Sequence, residues 1–93
     1  MTVTHELKTR PVYFDAVVRG EKTFEVRRDD RGFQKGDLVR LLRTSVRSPH
    51  QVDYDYHGKP NHEITCEISY VLTGGQFGIE PGYVVLGLNE PTP

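Results

Sequence analysis

The densest group of polar residues in the sequence is the segment 20–27, which reads Gly-Glu-Lys-Thr-Phe-Glu-Val-Arg. Gly20 is expected to turn the chain so that Lys22 lies at the start of a strand. In that strand Glu25 and Arg27 share one face, about 6 to 7 Å apart. The three charged groups can then hold a phosphate or the edge of a base, with Arg27 as a planar fork, Lys22 as a point charge and Glu25 orienting both.

Further cations are concentrated in the first half of the chain. Residues 1–43 carry 10 basic and 7 acidic side chains, whereas residues 44–93 carry 2 basic and 6 acidic ones, and the formal net charge is -1. A basic half is suited to phosphate groups, and Lys8, Arg10 and Arg28 are predicted as secondary phosphate contacts. The alternative is an ordinary solvated surface whose aspartates neutralise the cations, and charge alone does not decide between the two.

A short helix and several strands are predicted to position these residues. Pro11 is suited to the first turn of a helix, Phe14, Val17 and Val18 form an apolar stripe at helical spacing, and Gly20 is suited to a left-handed C-terminal cap. After this helix the apolar period changes to two. Strands are predicted at residues 5–8, 23–27, 38–42, 63–73 and 83–88.

Side chains alternate clearly in two of the predicted strands. Phe24 and Val26 point to one side of their strand and Glu25 and Arg27 to the other, which predicts a half-buried strand. In the longest strand one face is predicted to carry the apolar residues Ile64, Cys66, Ile68, Tyr70 and Leu72.

These elements predict an α+β, mainly β fold in a single domain, residues 1–93. We expect a small barrel of about five antiparallel strands, with one helix inserted after the first strand, because curling removes exposed sheet edges. The polar residues 44–62 are predicted to form a long loop or hairpin arm. A domain of this length has little room for an enclosed site, so a surface groove is expected.

Composition excludes several classes of protein. Cys66 is the single cysteine, so there is no internal disulfide framework and no cysteine pair for a zinc knuckle. No apolar run approaches the ~20 residues of a membrane span, and the first residues lack the features of a signal peptide. We expect a cytoplasmic protein with no membrane partner.

The spacing G-x-K-x-x-E-x-R, formed here by Gly20, Lys22, Glu25 and Arg27, resembles the signature of the ASCH domain family, a relative of the RNA-binding PUA domain. The resemblance implies a PUA-like β-barrel whose motif lines a cleft that binds RNA or a modified nucleotide. Segments that resemble a subgroup of small bacterial and phage proteins of unknown function lie at residues 5–8, 13–14, 33–37 and 73–86.

The same resemblance raises an enzymatic alternative. Some ASCH-like proteins are amidohydrolases that remove acyl groups from N4 of cytidine, using a lysine, a threonine and a glutamate. Lys22 matches the lysine position, but Glu25 stands where that pattern has the threonine nucleophile. A carboxylate there is suited to act as a general base toward water, so an enzyme using Lys22 and Glu25 would need different chemistry.

Two other groups of residues invite ligand hypotheses. The potential metal ligands of the polar loop have no recognised spacing and no rigid element to hold them, so neither a metal nor another cofactor is predicted; they are His50, Asp53, Asp55, His57 and His62. The glycines at 74, 75, 78 and 82 could bring backbone N–H groups to a phosphate, but no phosphate-loop pattern is present, and a plain strand connection is favoured.

Three functions stay open at this level. The first is an RNA- or nucleotide-binding module that uses the motif cleft, and it is favoured over an enzyme. The second is an amidohydrolase acting on N4-acylated cytidine or another modified nucleoside. The third is a phage or mobile-element protein that binds a host protein through residues 44–62. A purely structural alternative for the motif is an ion pair of Glu25 and Arg27 that seals the barrel end, with Lys22 solvated beside it.

Overall fold

The computed structural model describes residues 2–92. Its elements confirm five strands and one helix inserted after the first strand. In chain order they are β1 (Thr4–Thr9), α1 (Pro11–Val18), β2 (Phe24–Arg28), β3 (Leu38–Arg43), β4 (Glu63–Thr73) and β5 (Tyr83–Leu88). Within the described residues no helix has the length and apolar character needed to cross a bilayer.

The strands form one sheet in the order β1-β3-β4-β5-β2, curled into a half-barrel. Three of the pairings are antiparallel, but β1 runs parallel to β3, so the prediction of antiparallel strands throughout is wrong for β1. The chain reaches β3 only after passing through α1 and β2, and a crossover of that length permits a parallel neighbour. β1 and β2 are therefore the two edges of the sheet.

The long strand β4 joins the two halves of the sheet. Its residues 63–67 pair with β3, its residues 68–73 pair with β5, and the register shifts between Ile68 and Tyr70. Such a bulge inserts one residue and inverts the alternation beyond it. Cys66 and Ile68 are buried as predicted, but Tyr70 is 62% exposed, and Val71 packs against the core in its place.

The core lies between the concave side of the sheet and one face of α1. Phe14 and Val17 of the helix are buried, whereas Val18, predicted on the same stripe, is exposed. The remaining core residues come from the strands and from the loop before β3, and they are Leu7, Phe33, Val39, Leu41, Cys66, Ile68, Val84, Leu86 and Leu88.

A buried polar pair connects β1 to the start of β3. His5 Nε2 lies 2.8 Å from Asp37 Oδ2, and the backbone N–H of Gln34 donates to the same carboxylate oxygen at 3.1 Å. The His5 ring also packs against Phe33, with 4.7 Å between ring centroids. The hydrogen bond with His5 holds the pKa of Asp37 below its usual value.

The glycine-rich segment between β4 and β5 is a strand connection, as favoured from the sequence. Gly74 N–H donates to the carbonyl of Tyr83 and Gly75 N–H to that of Ile79, both at 2.7 Å, so these donors are used within the connection. The backbone passes so close at Gly74 that a β-carbon there would lie 2.1 Å from Glu80 O and 2.6 Å from Tyr83 O. Only glycine fits this position without moving the backbone.

We expect Asp37→Asn to lower the free energy of unfolding at pH 7 by about 1 kcal/mol or more, because it weakens a buried hydrogen-bonded pair. A carboxyl whose folded pKa is lowered stabilises the fold above its unfolded pKa, about 3.9, and loses this effect as the pH falls through the folded pKa. Urea unfolding at pH 7, 5 and 3 should therefore show the difference from wild type shrinking below about pH 4. The control Asp29→Asn, at an exposed position, should leave stability unchanged. A difference that grows on acidification would contradict this account.

Gly74→Ala should destabilise the protein by about 3 kcal/mol, because the new β-carbon overlaps two backbone carbonyls that cannot move independently of the turn. Gly78→Ala is the matched control: its φ of +77° is strained for alanine, but the space around it is open. The control should cost only about 1 to 2 kcal/mol. Thermal and urea unfolding measure the stability of both variants. If both lose the same free energy of unfolding, the close approach of the backbone at Gly74 does not contribute to the effect.

Candidate functional site

The C-terminal end of α1 fixes the backbone that precedes β2. Gly20 N–H donates to Val17 O and Glu21 N–H to Ala16 O, both at 3.0 Å, with φ of +78° at Gly20. This pair of bonds is the Schellman motif, and it confirms that Gly20 ends the helix. Lys22 N–H also donates to Ala16 O, at 3.1 Å, so the backbone of Lys22 is held directly beneath the helix end.

The structure brings the three charged groups of the motif together. Lys22 Nζ donates to Glu25 Oε1 at 2.5 Å and to the Phe24 carbonyl at 2.6 Å. Arg27 Nε donates to the other oxygen, Glu25 Oε2, at 3.0 Å. Glu25 is only 4% exposed, so its carboxylate is a buried charge that two cations compensate.

The alternation along β2 is as predicted, but the buried face is the charged one. Glu25 points inward, while Phe24 and Val26 are 44% and 53% exposed. Polarity alone would favour the opposite arrangement. The strand tolerates the inversion because Lys22 and Arg27 satisfy the carboxylate inside the fold, which leaves two apolar side chains on the outside.

The two edge strands are bridged by guanidinium groups. Arg27 Nη2 donates to Lys8 O at 3.0 Å and to Thr9 Oγ1 at 3.1 Å, and Arg31 Nη1 donates to Glu6 O at 2.5 Å. The Arg27 side chain thus spans the gap between β1 and β2, which lie at opposite ends of the sheet order, and Arg31 reaches β1 from the loop after β2.

The ion pair that would give the motif a purely structural role is therefore present. Glu25 and Arg27 form it at 3.0 Å. Lys22, however, is not solvated beside it: its side chain is 17% exposed and belongs to the same network. The network closes one side of the half-barrel and also forms the floor of an open site.

That site is a cleft of about 760 Å³ beside the β1–β2 gap. Within residues 2–92, Lys8 and Arg10 at this cleft have no carboxylate within 4 Å. The rings of Tyr13 and Phe24 are both about half-exposed, and Lys22 Nζ lies 5.5 and 5.0 Å from their centroids. The cleft is lined by Lys8, Thr9, Arg10, Tyr13, Glu21, Lys22, Phe24, Glu25, Val26, Arg27, Pro49 and His50.

Comparison with known proteins places this arrangement in a family. The family model described as a domain of unknown function, DUF3850, matches residues 4–88, which include the helix and all five strands. The chain belongs to the DUF3850 family. It is also similar to an uncharacterized 12.9 kDa protein in the GpA 3' region of Escherichia phage P2, with 42% identity over 41 residues. That match spans 44% of this chain and 38% of the phage protein.

Five of the seven site residues predicted from the sequence line the cleft of this DUF3850 domain, namely Lys8, Arg10, Lys22, Glu25 and Arg27. Gly20 does not line it and acts through the backbone at the helix end. Arg28 does not line it either, because it alternates to the other face of β2, where its guanidinium lies 5.5 Å from the centroid of the Tyr83 ring.

Sequence reasoning missed the contribution of the segment 44–62 to the cleft. In the structure the isolated antiparallel bridges of Thr44 with Val52 and of Tyr54 with Pro60 fold this segment, called the arm below, back on itself. Its first turn brings Pro49 and His50 to the cleft, where the His50 carbonyl accepts a hydrogen bond from Lys8 Nζ at 3.2 Å. No periodicity marks these residues, since the contact follows only from the fold of the arm.

Asp55 of the arm has a structural role. The Asp55 carboxylate accepts the backbone N–H groups of His57 at 2.8 Å and Lys59 at 3.0 Å, which is the chemistry of a turn. In the described part of the chain, no three His, Cys, Asp or Glu side chains are grouped to hold a metal ion.

We expect Arg27→Lys to lower the free energy of unfolding by about 2 kcal/mol or more. A lysine keeps the charge but lacks the fork that bonds Glu25, the Lys8 carbonyl and the Thr9 hydroxyl together. Urea unfolding gives the stability. Relative to wild type, amide hydrogen exchange should become faster in β1 and β2, and it should change less in β3. The control Arg47→Lys changes an exposed arginine outside the network and should have no effect. If Arg27→Lys is equally neutral, the guanidinium does not hold the two edges together.

Proposed function

We propose that this DUF3850 protein binds RNA or a nucleotide in the cleft beside the β1–β2 gap. The observation that carries the proposal is the combination, at one opening, of two half-exposed aromatic rings and two cations that have no carboxylate partner among residues 2–92. Cations bind phosphate, and aromatic faces stack on bases. The resemblance of the motif to the ASCH and PUA-like families supports the same function.

The pattern of ion pairs supports phosphate as the ligand of the two cations. Six of the basic side chains in residues 2–92 have a carboxylate partner: Arg19, Lys22, Arg27, Arg31, Arg40 and Arg43. Glu21, the other acidic residue of the cleft lining, is already bonded to Arg19 at 2.8 Å. The charges of Lys8 and Arg10 are therefore not neutralised locally, and an anionic ligand would supply the missing partner.

The aromatic rings support a base beside the phosphate. Tyr13 lies in the first turn of α1 and Phe24 begins β2, so two different elements place their rings around Lys22 Nζ. Any of the four bases can stack on either ring in the cleft, since every base has a π face.

The motif network adds hydrogen-bond donors that are held in place before any ligand arrives. Arg27 uses Nε and Nη2 within the protein, and its Nη1 makes no hydrogen bond within residues 2–92. That group leaves a donor pair available to an acceptor such as a base carbonyl or a phosphate oxygen. Glu25 then serves to orient Lys22 and Arg27 and does not contact the ligand itself.

The same geometry favours binding over amide hydrolysis. Both oxygens of Glu25 already accept hydrogen bonds from cations, at 2.5 and 3.0 Å. To act as a general base, the carboxylate would have to give up one of these bonds to a water molecule. Incubation with N4-acetylcytidine tests this alternative, and release of cytidine would reassign the site to catalysis.

Binding is tested by fluorescence anisotropy with labelled single-stranded and hairpin RNAs, and by competition with the four nucleoside 5′-monophosphates. Lys8→Ala and Arg10→Ala should each weaken binding roughly 5- to 10-fold, and each should reduce the slope of log K against log salt by about 0.7 between 50 and 200 mM salt. Both residues are exposed, so the variants should keep their fold. The matched control is Lys59→Ala, an exposed cation on the arm outside the cleft lining.

Two outcomes would contradict the proposal. One is the absence of binding to any of these RNAs or monophosphates. The other is binding that Lys8→Ala and Arg10→Ala leave at the wild-type affinity while their circular dichroism is unchanged.

A further inference from the structure

We propose that the outer face of the β2–β5–β4 part of the sheet is a second contact surface for RNA, so that the ligand is a single strand of several nucleotides and not one nucleotide. The inference rests on the proposed function of the cleft. It adds side chains on the convex side of the sheet to those of the cleft, and Phe24 and Val26 belong to both surfaces.

Strand register defines this outer face. Phe24 pairs with Gly87, which pairs with Tyr70, and paired residues of neighbouring strands share one face of the sheet. The next row on the same face is Val26, Val85 and Leu72, and the row after it holds Arg28 and Tyr83. The rows between them point into the core, as the buried Leu86 shows.

The outer face is uncovered in the described chain. Phe24, Val26 and Tyr70 are among its exposed side chains, whereas α1 packs into the core on the opposite, concave side of the sheet. An apolar and aromatic face on a domain of this size marks a contact surface. The bulge in β4 contributes to it, because the shift in register turns Tyr70 outward.

The chemistry of the outer face fits single-stranded RNA. Phe24 and Tyr70 stand on either side of Gly87, about 10 Å apart across two strand spacings. The small Ser69 side chain lies beside Gly87, since a β-carbon there would be 2.9 Å from Ser69 Oγ. Each ring can stack one base. The Arg28 guanidinium, 5.5 Å from the centroid of the Tyr83 ring, lies on the same face and has no carboxylate within 4 Å among residues 2–92.

Charge and continuity favour RNA over a second copy of the chain. None of the eight positions of the outer face is acidic, so its formal charge comes from Arg28 alone. Two copies packed face to face would bring like charges together. Phe24 also lines the cleft, so a strand that leaves Lys8 and Arg10 passes over β2 directly onto the outer face.

The test compares the affinities for the four 5′-monophosphates with those for mixed-sequence single-stranded RNAs of two, four and eight nucleotides. For wild type, affinity should rise with length. Tyr70→Ala should weaken the eight-nucleotide complex roughly 5- to 150-fold, the effect of losing one stacked base, and leave monophosphate binding unchanged. Tyr70→Phe keeps the ring and should restore the affinity.

Arg28→Ala should weaken the eight-nucleotide complex and reduce its salt slope by about 0.7, again with no effect on monophosphates. The matched controls lie on the arm: Tyr56→Ala removes an exposed ring and Lys59→Ala an exposed cation, and both should bind as wild type. Circular dichroism and unfolding curves check that every variant is folded.

The outcomes separate this inference from the proposed function. If Tyr70→Ala and Arg28→Ala bind the eight-nucleotide RNA as wild type does, while Lys8→Ala and Arg10→Ala lose affinity, the outer face is not an RNA surface and the cleft stands. If no RNA or monophosphate binds, both proposals fall. If sedimentation shows a dimer that Tyr70→Ala dissociates without a change in RNA affinity, the face is a homodimer interface and the inference is overturned.

Discussion

The burial of the Glu25 carboxylate is the constraint on which the rest of the site depends. A carboxylate that is 4% exposed must be paired, because an isolated charge inside a protein loses its hydration without compensation. Lys22 supplies one partner from the end of the helix and Arg27 supplies the other from the same strand. Arg27 then has donors left for the Lys8 carbonyl and the Thr9 hydroxyl. One buried charge thus connects the helix end, β2 and the edge of β1 in a single network.

This mode of closure explains why there is a cleft at all. If β1 and β2 met through backbone hydrogen bonds, as in a closed barrel, the strands would lie about 5 Å apart and their side chains would fill the space. Guanidinium groups reach further than a backbone hydrogen bond, so the two edges stay apart and the opening persists between them. Edge strands normally risk pairing with other chains. Here Arg27 and Arg31 donate to the Lys8 and Glu6 carbonyls of β1 and also leave the opening accessible to a ligand.

The sequence predicts those parts of the structure that follow from local periodicity. The helix with Pro11 at its start and Gly20 at its end, the five strands and the hairpin arm all have local signals. The parallel pairing of β1 has none, because it depends on where the chain returns after α1 and β2. The exposure of Tyr70 depends on a bulge that changes no residue type, and the approach of His50 to the cleft depends on the folded arm. The meeting of Lys22, Glu25 and Arg27 could be predicted, but not that their face of β2 is the buried one.

The orientation of β2 has a consequence for function, because the alternation of a strand allows only two arrangements. When Glu25 and Arg27 face inward, Phe24, Val26 and Arg28 must face outward. The network that closes the half-barrel therefore lies on one face of β2, and the apolar outer face is formed by the other face of the same strand. A slip of one residue would bury Phe24 and Val26, which is the arrangement that polarity alone favours, and would expose the carboxylate. It would remove the pairing of Glu25, the bridge to β1 and the aromatic outer face together. The stability of the fold and both surfaces proposed for RNA thus depend on the same register.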